Sequence, residues 1–395
     1  MKIIAILEGP ITTGGGFNQA LNAILQMQRI CEGRFEFEVF TTEPENIRHL
    51  KSFGVNAVSF SFSIIDKLLC KLNLNVWWQI MQDRIKLIGS FEKKLMAHGC
   101  DLAYFVTPSV KPPALQRLNY VITVWDLCHR DMPEFPEVRD FNQFYARDYY
   151  YQNHLSPAVA ILTDSVQSAD SISRRYGVDR ERLLPMPFAP APFLDSKIST
   201  GKEEVLKKYG LPEGYFFYPA QFWAHKNHIR ILEALLILRA RGIQFMVVFT
   251  GGDYGNLGHI ERFVKKNNLD GQVRFLGFVA AQDVRGLYEN CKAVVMPTYF
   301  GPTNLPPLEA WMFGKPLIYP LQFSDQAANA AILINPDDAY DLASAMEICT
   351  GNNFCEEMAK RGRMRLQEIY LHRKDAEAEL FAKLLQFEKR LRCWN

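Results

Sequence analysis

Short apolar runs alternate along the chain with longer segments whose apolar positions recur at helical spacing. The runs Lys2–Leu7, Phe35–Phe40, Val55–Phe60, Asp101–Val106, Tyr120–Trp125 and Ala158–Thr163 are almost continuously apolar and rich in Val, Ile and Phe. Strands buried on both faces read this way, whereas strands with one wet face alternate. After the first run, Phe17, Ala20, Leu21, Ile24 and Leu25 follow the i, i+3, i+4, i+7, i+8 rule of a helix with one buried side. Such an alternation predicts a parallel sheet covered by helices on both faces.

The pattern breaks at Pro185–Phe193, where four prolines fall within residues 185–192 and exclude an interior strand or helix. This is the linker candidate, and the polar stretch Asp195–Lys208 follows it. The alternation then restarts with Tyr215–Ala220, Phe245–Thr250, Val273–Leu276, Ala293–Met296, Pro316–Tyr319 and Ile332–Ile334. A long amphipathic helix is predicted over Asp375–Arg392, with Leu380, Phe381, Leu384, Leu385 and Leu391 on its apolar side. The expected fold is α/β: two Rossmann-like, doubly wound domains in series with a cleft between them, the first over residues 1–190 and the second over 191–372.

Composition narrows the class. A chain of 395 residues with 48% apolar and 22% charged content has the balance of a globular protein with sizeable cores. Lys+Arg 45 against Asp+Glu 43 gives no basic field, so no nucleic-acid partner is expected. The eight cysteines show neither a CxxC pair nor zinc spacing, which reads as reduced thiols in a cytoplasmic protein with no metal site. The opening MKIIAILEGP is too short an apolar run for a signal peptide, and nothing reaches the ~18 apolar residues of a membrane span.

In open α/β sheets, ligands bind beyond the carboxyl ends of strands, often at helix N-termini. Five such junctions carry unusual residues. After the first strand, Gly14, Gly15 and Gly16 permit close backbone approach to a phosphate. The spacing is not GxGxxG, which disfavours a nicotinamide cofactor, and a flexible interdomain loop is the plainer alternative. After the fifth strand, Asp126, His129, Arg130, Asp131 and Glu134 crowd one turn, either as a reactive site or as turn-stabilising hydrogen bonds. Neither Ser nor Cys stands in a nucleophile elbow. At the restart, Lys226 precedes a helix beginning near Asn227. It is either a phosphate-binding charge or an ordinary solvated lysine. The next strand ends in Gly251-Gly252, again an open backbone. Finally, Gly301, Pro302 and Asn304 form a turn before a helix over Leu305–Phe313, with Pro306 and Pro307 in its first turn. About four first-turn amides are expected to face a diphosphate there. Glu309 has the chemistry to accept two ribose hydroxyls, and equally to complement the helix dipole.

Residues 64–95 are apolar and aromatic, with Trp77, Trp78 and Ile80, yet carry Lys67, Lys71, Arg84, Lys86, Lys93 and Lys94. Such a segment either packs on its sheet or lies on an anionic membrane surface.

Together these motifs resemble the family-4 retaining glycosyltransferases of GT-B fold. The glycine loop, the aspartate-bearing turn at 125–131, Lys226-Asn227, and Leu305-Pro-Pro-Leu-Glu-Ala310 with Gly314-Lys-Pro316 match in order and spacing. Val124–Val138 with Tyr299–Ala310 is similar to bacterial enzymes that build cell-surface polysaccharide, including O-antigen and capsule. The resemblance implies a nucleotide-sugar donor on the second domain (191–372) and a glycan or lipid-linked acceptor on the first (1–190), with no metal and no resident cofactor. It implies that Glu309 holds the ribose and Lys226 the diphosphate, with Leu305 and Pro306 on the donor phosphates. Gly277 and Phe278 would lie by the base, and glycines 14–16 would approach from the first domain. His225, Asn227, Gly251, Gly301, Thr303 and Asn304 complete the expected donor contacts; Asp126 and His129 join Lys226 as catalytic candidates. It also implies a final helix, 373–395, crossing back to the first domain, and a cytoplasmic protein peripheral on the membrane through 64–95. The chain departs from the family at three places. Gly301 stands where a second glutamate is common, Trp125 where a histidine precedes the aspartate, and His225 where an arginine precedes the lysine. Two alternatives stand beside this reading: a catalytically silent nucleotide-sugar-binding subunit, which the missing motif positions favour, and a sugar-nucleotide 2-epimerase, which shares the two-domain layout but needs several cleft carboxylates and is disfavoured by Gly301.

Overall fold

The computed structural model describes residues 1–10, 14–73, 75–195 and 200–394. The chain divides into two compact units: Met1–Pro133 with Phe141–Pro187 and His372–Asn395, and Glu134–Asp140 with Phe188–Leu371. The short segment Glu134–Asp140 thus groups with the second unit, and the main boundary falls between Pro187 and Phe188, against the expected 190.

In the first unit the strands are β1 (Lys2–Leu7), β2 (Glu36–Thr41), β3 (Ala57–Ser59), β4 (Leu102–Phe105), β5 (Asn119–Val124), β6 (Ala160–Thr163) and β7 (Leu183–Pro185). Among the described residues they form one sheet in the order β3-β2-β1-β4-β5-β6-β7, with every pairing parallel. Strand β1 shows why its run is apolar throughout. Ile3, Ala5 and Leu7 face Ala20 and Ile24 of helix Gly14–Cys31 and Leu380 and Leu384 of helix Asn352–Leu391. Ile4 and Ile6 point the other way, against Phe91, Leu95 and Ile172. Period two therefore places both residue sets in a core. Ala20, Leu21 and Ile24 are buried as their spacing predicts, while the side chain of Phe17 lies outside the described residues.

In the second unit, β8 (Phe216–Pro219), β9 (Val247–Thr250), β10 (Val273–Phe275), β11 (Ala293–Val295), β12 (Leu317–Pro320) and β13 (Ile332–Ile334) form a parallel sheet in the order β10-β9-β8-β11-β12-β13. The strand order reverses direction between β1 and β4 in the first sheet, and between β8 and β11 in the second. These are the topological switch points, where crossovers diverge and leave a crevice at the strands' carboxyl ends.

Two elements differ from expectation. Strand β7 overlaps the proline-rich linker: it is a three-residue strand at the edge of the sheet, where proline is tolerated. The C-terminal helix begins at Asn352 rather than near 375. Its first half has a thin apolar face and is laced instead by pairs such as Glu357–Arg361 at i,i+4.

Candidate functional site

The second unit builds its site at the β8/β11 switch point. Beyond β8 the chain makes a 3₁₀ turn, Ala224–Lys226, and Asn227 takes a left-handed conformation (φ 55°) before helix His228–Ala240. Asn227 is held there by its side-chain amide, which donates to the carbonyls of Pro297 (3.2 Å) and Pro336 (2.9 Å). The hydroxyl of Tyr218 donates to the Lys226 carbonyl at 2.9 Å. The lysine's backbone is therefore fixed while its half-buried side chain reaches Asn304, Nζ to Oδ1 3.5 Å. His228, directly behind, is fully buried between the rings of Tyr218 and Phe222, and burial holds its pKa down to about 3. It is neutral, and Lys226 supplies the positive charge next to it.

His225 is also fixed. Its backbone N–H donates to Glu137 at 3.0 Å, its Nδ1 pairs with the same carboxylate, and its ring stacks on Phe300 at 4.3 Å. Burial raises the Glu137 pKa, but the bonds from His225 outweigh it, so the group lies below its ordinary value. Phe135 packs on Tyr299 and Phe300. Sequence reasoning missed Glu137, because no local spacing links it to His225.

The loop after β11 is organised by Asn304. Its Nδ2 donates to the Tyr319 hydroxyl (2.7 Å) and to the carbonyls of Gly301 (3.1 Å) and Phe300 (3.4 Å). Gln326 accepts from the Asn304 N–H at 3.0 Å and returns a bond to its carbonyl at 2.8 Å. Gly301 has φ +94°, and a Cβ there would stand 3.1 Å from Asn304 side-chain atoms and the Thr303 carbonyl. A glutamate at 301 would be strained in this loop. Thr303 is half-buried beside it.

Helix Leu305–Met312 starts with no side-chain cap. The expected four amide donors are not there: Asn304 gives its N–H to Gln326, and Pro306 and Pro307 have none. Leu305 supplies the remaining first-turn amide. Glu309 is 7% exposed and accepts a 2.5 Å bond from the Tyr288 hydroxyl. Burial raises its pKa; the bonds from Tyr288 and the Ala191 backbone offset this only in part. It is not a surface glutamate complementing a dipole.

The neighbouring strand ends are open. Gly251 lies so close to the chain after β8 that a Cβ would meet the Ala220 carbonyl oxygen at 2.4 Å, so this glycine is required by packing. Gly277, after β10, faces open space, and Phe278 beside it is 70% exposed.

In the first unit, Gly14, Gly15 and Gly16 open helix Gly14–Cys31, and a Cβ on Gly16 would lie 3.3 Å from the Trp125 ring. Residues 11–13 of the same loop lie outside the described residues. Asp126 Oδ1 accepts from the Cys128 N–H (3.0 Å) and from Arg147 (3.1 Å). Burial pushes its pKa up, but Arg147 and the Cys128 bonds bring it below the ordinary value. His129 is 1% exposed, pairs with the Tyr176 hydroxyl at 3.0 Å, and sits against Phe144 and Tyr151. Burial, with Arg147 adding to it, lowers its pKa to about 4. That environment is a packed, neutral core histidine, the turn-stabilising alternative, and does not present the ring to a substrate.

Residues 201–365, which hold every described strand of the second unit's sheet, match the family model of the glycosyl transferases group 1. The two-unit arrangement of parallel sheets is the GT-B glycosyltransferase fold. HepE of Anabaena, solved with UDP-glucose, matches with a TM-score of 0.71 and 16% identity over 97% of this chain and 100% of that one. The O-antigen chain mannosyltransferase RfbU of Salmonella typhimurium is 26% identical over 53% of this chain and 59% of its own length. O-antigen chain mannosyltransferase B of Escherichia coli is 25% identical over 47% and 49%. The chain thus aligns with about half the length of these curated relatives.

Proposed function

We propose that the protein is a retaining hexosyltransferase that moves a sugar from a nucleotide-sugar donor to a glycan or lipid-linked acceptor during bacterial surface-polysaccharide synthesis. The observation that carries this reading is Lys226 set 3.5 Å from Asn304 at the β8/β11 switch point of the stretch that matches the glycosyl transferases group 1 model. An ammonium from one strand end and a helix start from the next make an anion site where this sheet topology places ligands. The similarity to O-antigen mannosyltransferases supports the surface-polysaccharide setting and a hexose as cargo.

In the proposed reaction the acceptor oxygen bonds to the sugar's anomeric carbon on the face the diphosphate leaves. The bond from that carbon to phosphate oxygen breaks, and the departing phosphate takes the acceptor's proton. Lys226 and the Leu305 amide stabilise the charge growing on the diphosphate. Glu309 accepts the ribose hydroxyls, and Gly277 and Phe278 flank the base. No resident cofactor or metal is required, since Lys226 supplies the cation.

Among the described residues no helix is long and apolar enough to cross a membrane. Membrane contact is proposed through residues 64–95 instead. Ile64, Trp77, Ile80 and Ile85 are more than half exposed there, among exposed Lys67, Lys71, Arg84 and Lys86. Apolar side chains left bare beside cations suit an anionic lipid surface.

The test of the transfer reading pairs turnover with folding. A Lys226→Ala variant is expected to lose about 10²–10³-fold in kcat, the usual cost of removing one charge-stabilising donor, while its melting temperature stays near wild type. An intact fold with unchanged turnover would remove Lys226 from the site.

A further inference from the structure

One piece of the second unit comes from a distant part of the chain. Residues up to Pro133 and from Phe141 belong to the first unit, whereas Glu134–Asp140 belongs to the second. This segment lies outside residues 201–365, the stretch that matches the family model. Pro136 opens a single helical turn, Pro136–Arg139, at a position that suits its fixed φ. The side chains around it are committed to the second unit. Val138 is buried, and Phe135 packs on Tyr299 (5.4 Å) and Phe300 (5.0 Å). Glu137 takes both the N–H and the Nδ1 of His225.

These contacts reach both parts of the proposed diphosphate site. The leading N–H groups of a helical turn have no partner within it. In the turn Ala224–Lys226, the Lys226 N–H returns to the Trp223 carbonyl at 3.2 Å, while the His225 N–H is one of the leading groups. Glu137 supplies its acceptor from 88 residues away. The His225 carbonyl accepts from the Tyr299 N–H at 2.9 Å, and the His225 ring lies nearly flat on Phe300 at 4.3 Å. Phe300 precedes Gly301, and its carbonyl accepts from Asn304, the residue that Lys226 Nζ reaches. One carboxylate thus braces the turn that carries Lys226 and, through the His225 ring, the loop that carries Asn304. The Glu137 and His225 side chains are 11% and 12% exposed, so water competes for this pair less than for a surface pair. Water alone would satisfy an exposed turn amide. A buried carboxylate that grips amide and ring together also fixes the direction of the turn.

We propose that Glu137 is a positioning residue for donor binding: through His225 it sets the turn that presents Lys226 to the diphosphate. This deepens the glycosyltransferase reading and rests on it. Glu137 acts on the donor only through His225 and Lys226. Residues 201–365 therefore do not complete the donor site by themselves, and the segment 134–140 is part of it.

The test is a double-mutant cycle on the full chain, read by calorimetry with GDP, UDP, dTDP and ADP. Glu137→Ala is expected to weaken the best-bound nucleotide about tenfold, the scale of losing a bond to a charged group. In a Lys226→Ala background the same substitution is expected to change affinity by less than about twofold, because the lysine it positions is gone. Glu137→Gln, which keeps an acceptor oxygen for both N–H groups, is expected to recover most of the loss. A purely structural role would lower the melting temperature and either leave the affinity of the folded protein unchanged or lower it equally in both backgrounds. Either of those affinity results, with wild type binding normally, overturns the positioning role alone. If Glu137→Ala fails to fold, Glu137→Asp, one methylene shorter, takes its place in the cycle with the same expectations. Wild type that binds none of the four nucleotides overturns the transferase reading and this inference with it.

Discussion

In the proposed reading Glu309 has two opposed tasks: it stays buried beside Tyr288, and it would meet a ribose as an anion. Its raised pKa records the conflict, since the fold prefers the neutral acid. The linkage sign follows. In the window between its ordinary value of 4.5 and its higher folded value, the native state binds more protons than the unfolded one, so this residue's stability contribution is lost as pH rises. Glu309→Gln removes that penalty. We expect its melting temperature at neutral pH to equal or exceed wild type while donor affinity falls by about 1.5–3 kcal/mol, the worth of hydrogen bonds to a charged group. Differential scanning fluorimetry and nucleotide-sugar calorimetry on one preparation check both halves; a destabilised variant with unchanged affinity would make the residue structural. Gly301 explains the missing second acid at the same scale. Its left-handed backbone and crowded Cβ position leave a glutamate no relaxed place in this loop. Lys226, Asn227 and Glu309 were legible as types at strand ends. Glu137, Tyr288, Tyr319 and Gln326 were not, because each meets its partner across a fold whose long-range contacts leave no spacing in the chain.

At the scale of elements, the runs that fill the inner strands β1, β4, β5, β6, β8, β9, β11 and β12 stand out because both faces of each are buried, while β3, β10 and β13 at the sheet edges are only half-buried. Strand β7 was hidden by Pro185 and the prolines that follow it, and the start of the helix at Asn352 by its charged surface. Residues 64–95, read from sequence as one amphipathic stretch, fold into three helices, Ile64–Leu72, Val76–Ile85 and Ser90–Ala97. Asp66 ties the first to the third: it forms a capping box with Ser63 and accepts from the Ser90 hydroxyl (2.7 Å) and the Phe91 N–H (3.1 Å). That fixed frame leaves Ile64 84% and Trp77 78% exposed. Vesicles containing phosphatidylglycerol should co-sediment the protein, less so as salt rises, because each surface cation contributes about 1 kcal/mol near an anionic bilayer. Trp77→Asp should reduce the bound fraction without moving the melting temperature. Recovery of all wild-type protein in the supernatant would refute this surface assignment.

At the scale of the whole molecule, acid sensitivity comes from histidines buried in both units. His129 and His154 are lowered to about 4 and His228 to about 3, all chiefly by burial, against an ordinary 6.5. Each binds fewer protons folded than unfolded in that range, so its stabilisation is complete above 6.5 and is lost as pH falls through the window. The melting temperature should therefore drop from pH 6.5 toward 4. His228→Phe, which fits the aromatic surroundings of Tyr218, Phe222 and Phe249, should flatten the slope. A slope equal to wild type would clear this residue.

The central claim is that the β8/β11 switch point grips a nucleoside diphosphate. The most direct measurement is a crystal structure of the protein with GDP or UDP bound. Diphosphate oxygens within hydrogen-bond distance of Lys226 Nζ and the Leu305 N–H, with ribose hydroxyls on Glu309, are the predicted result. A nucleotide seated elsewhere, leaving Lys226 and Glu309 without contact, would contradict it.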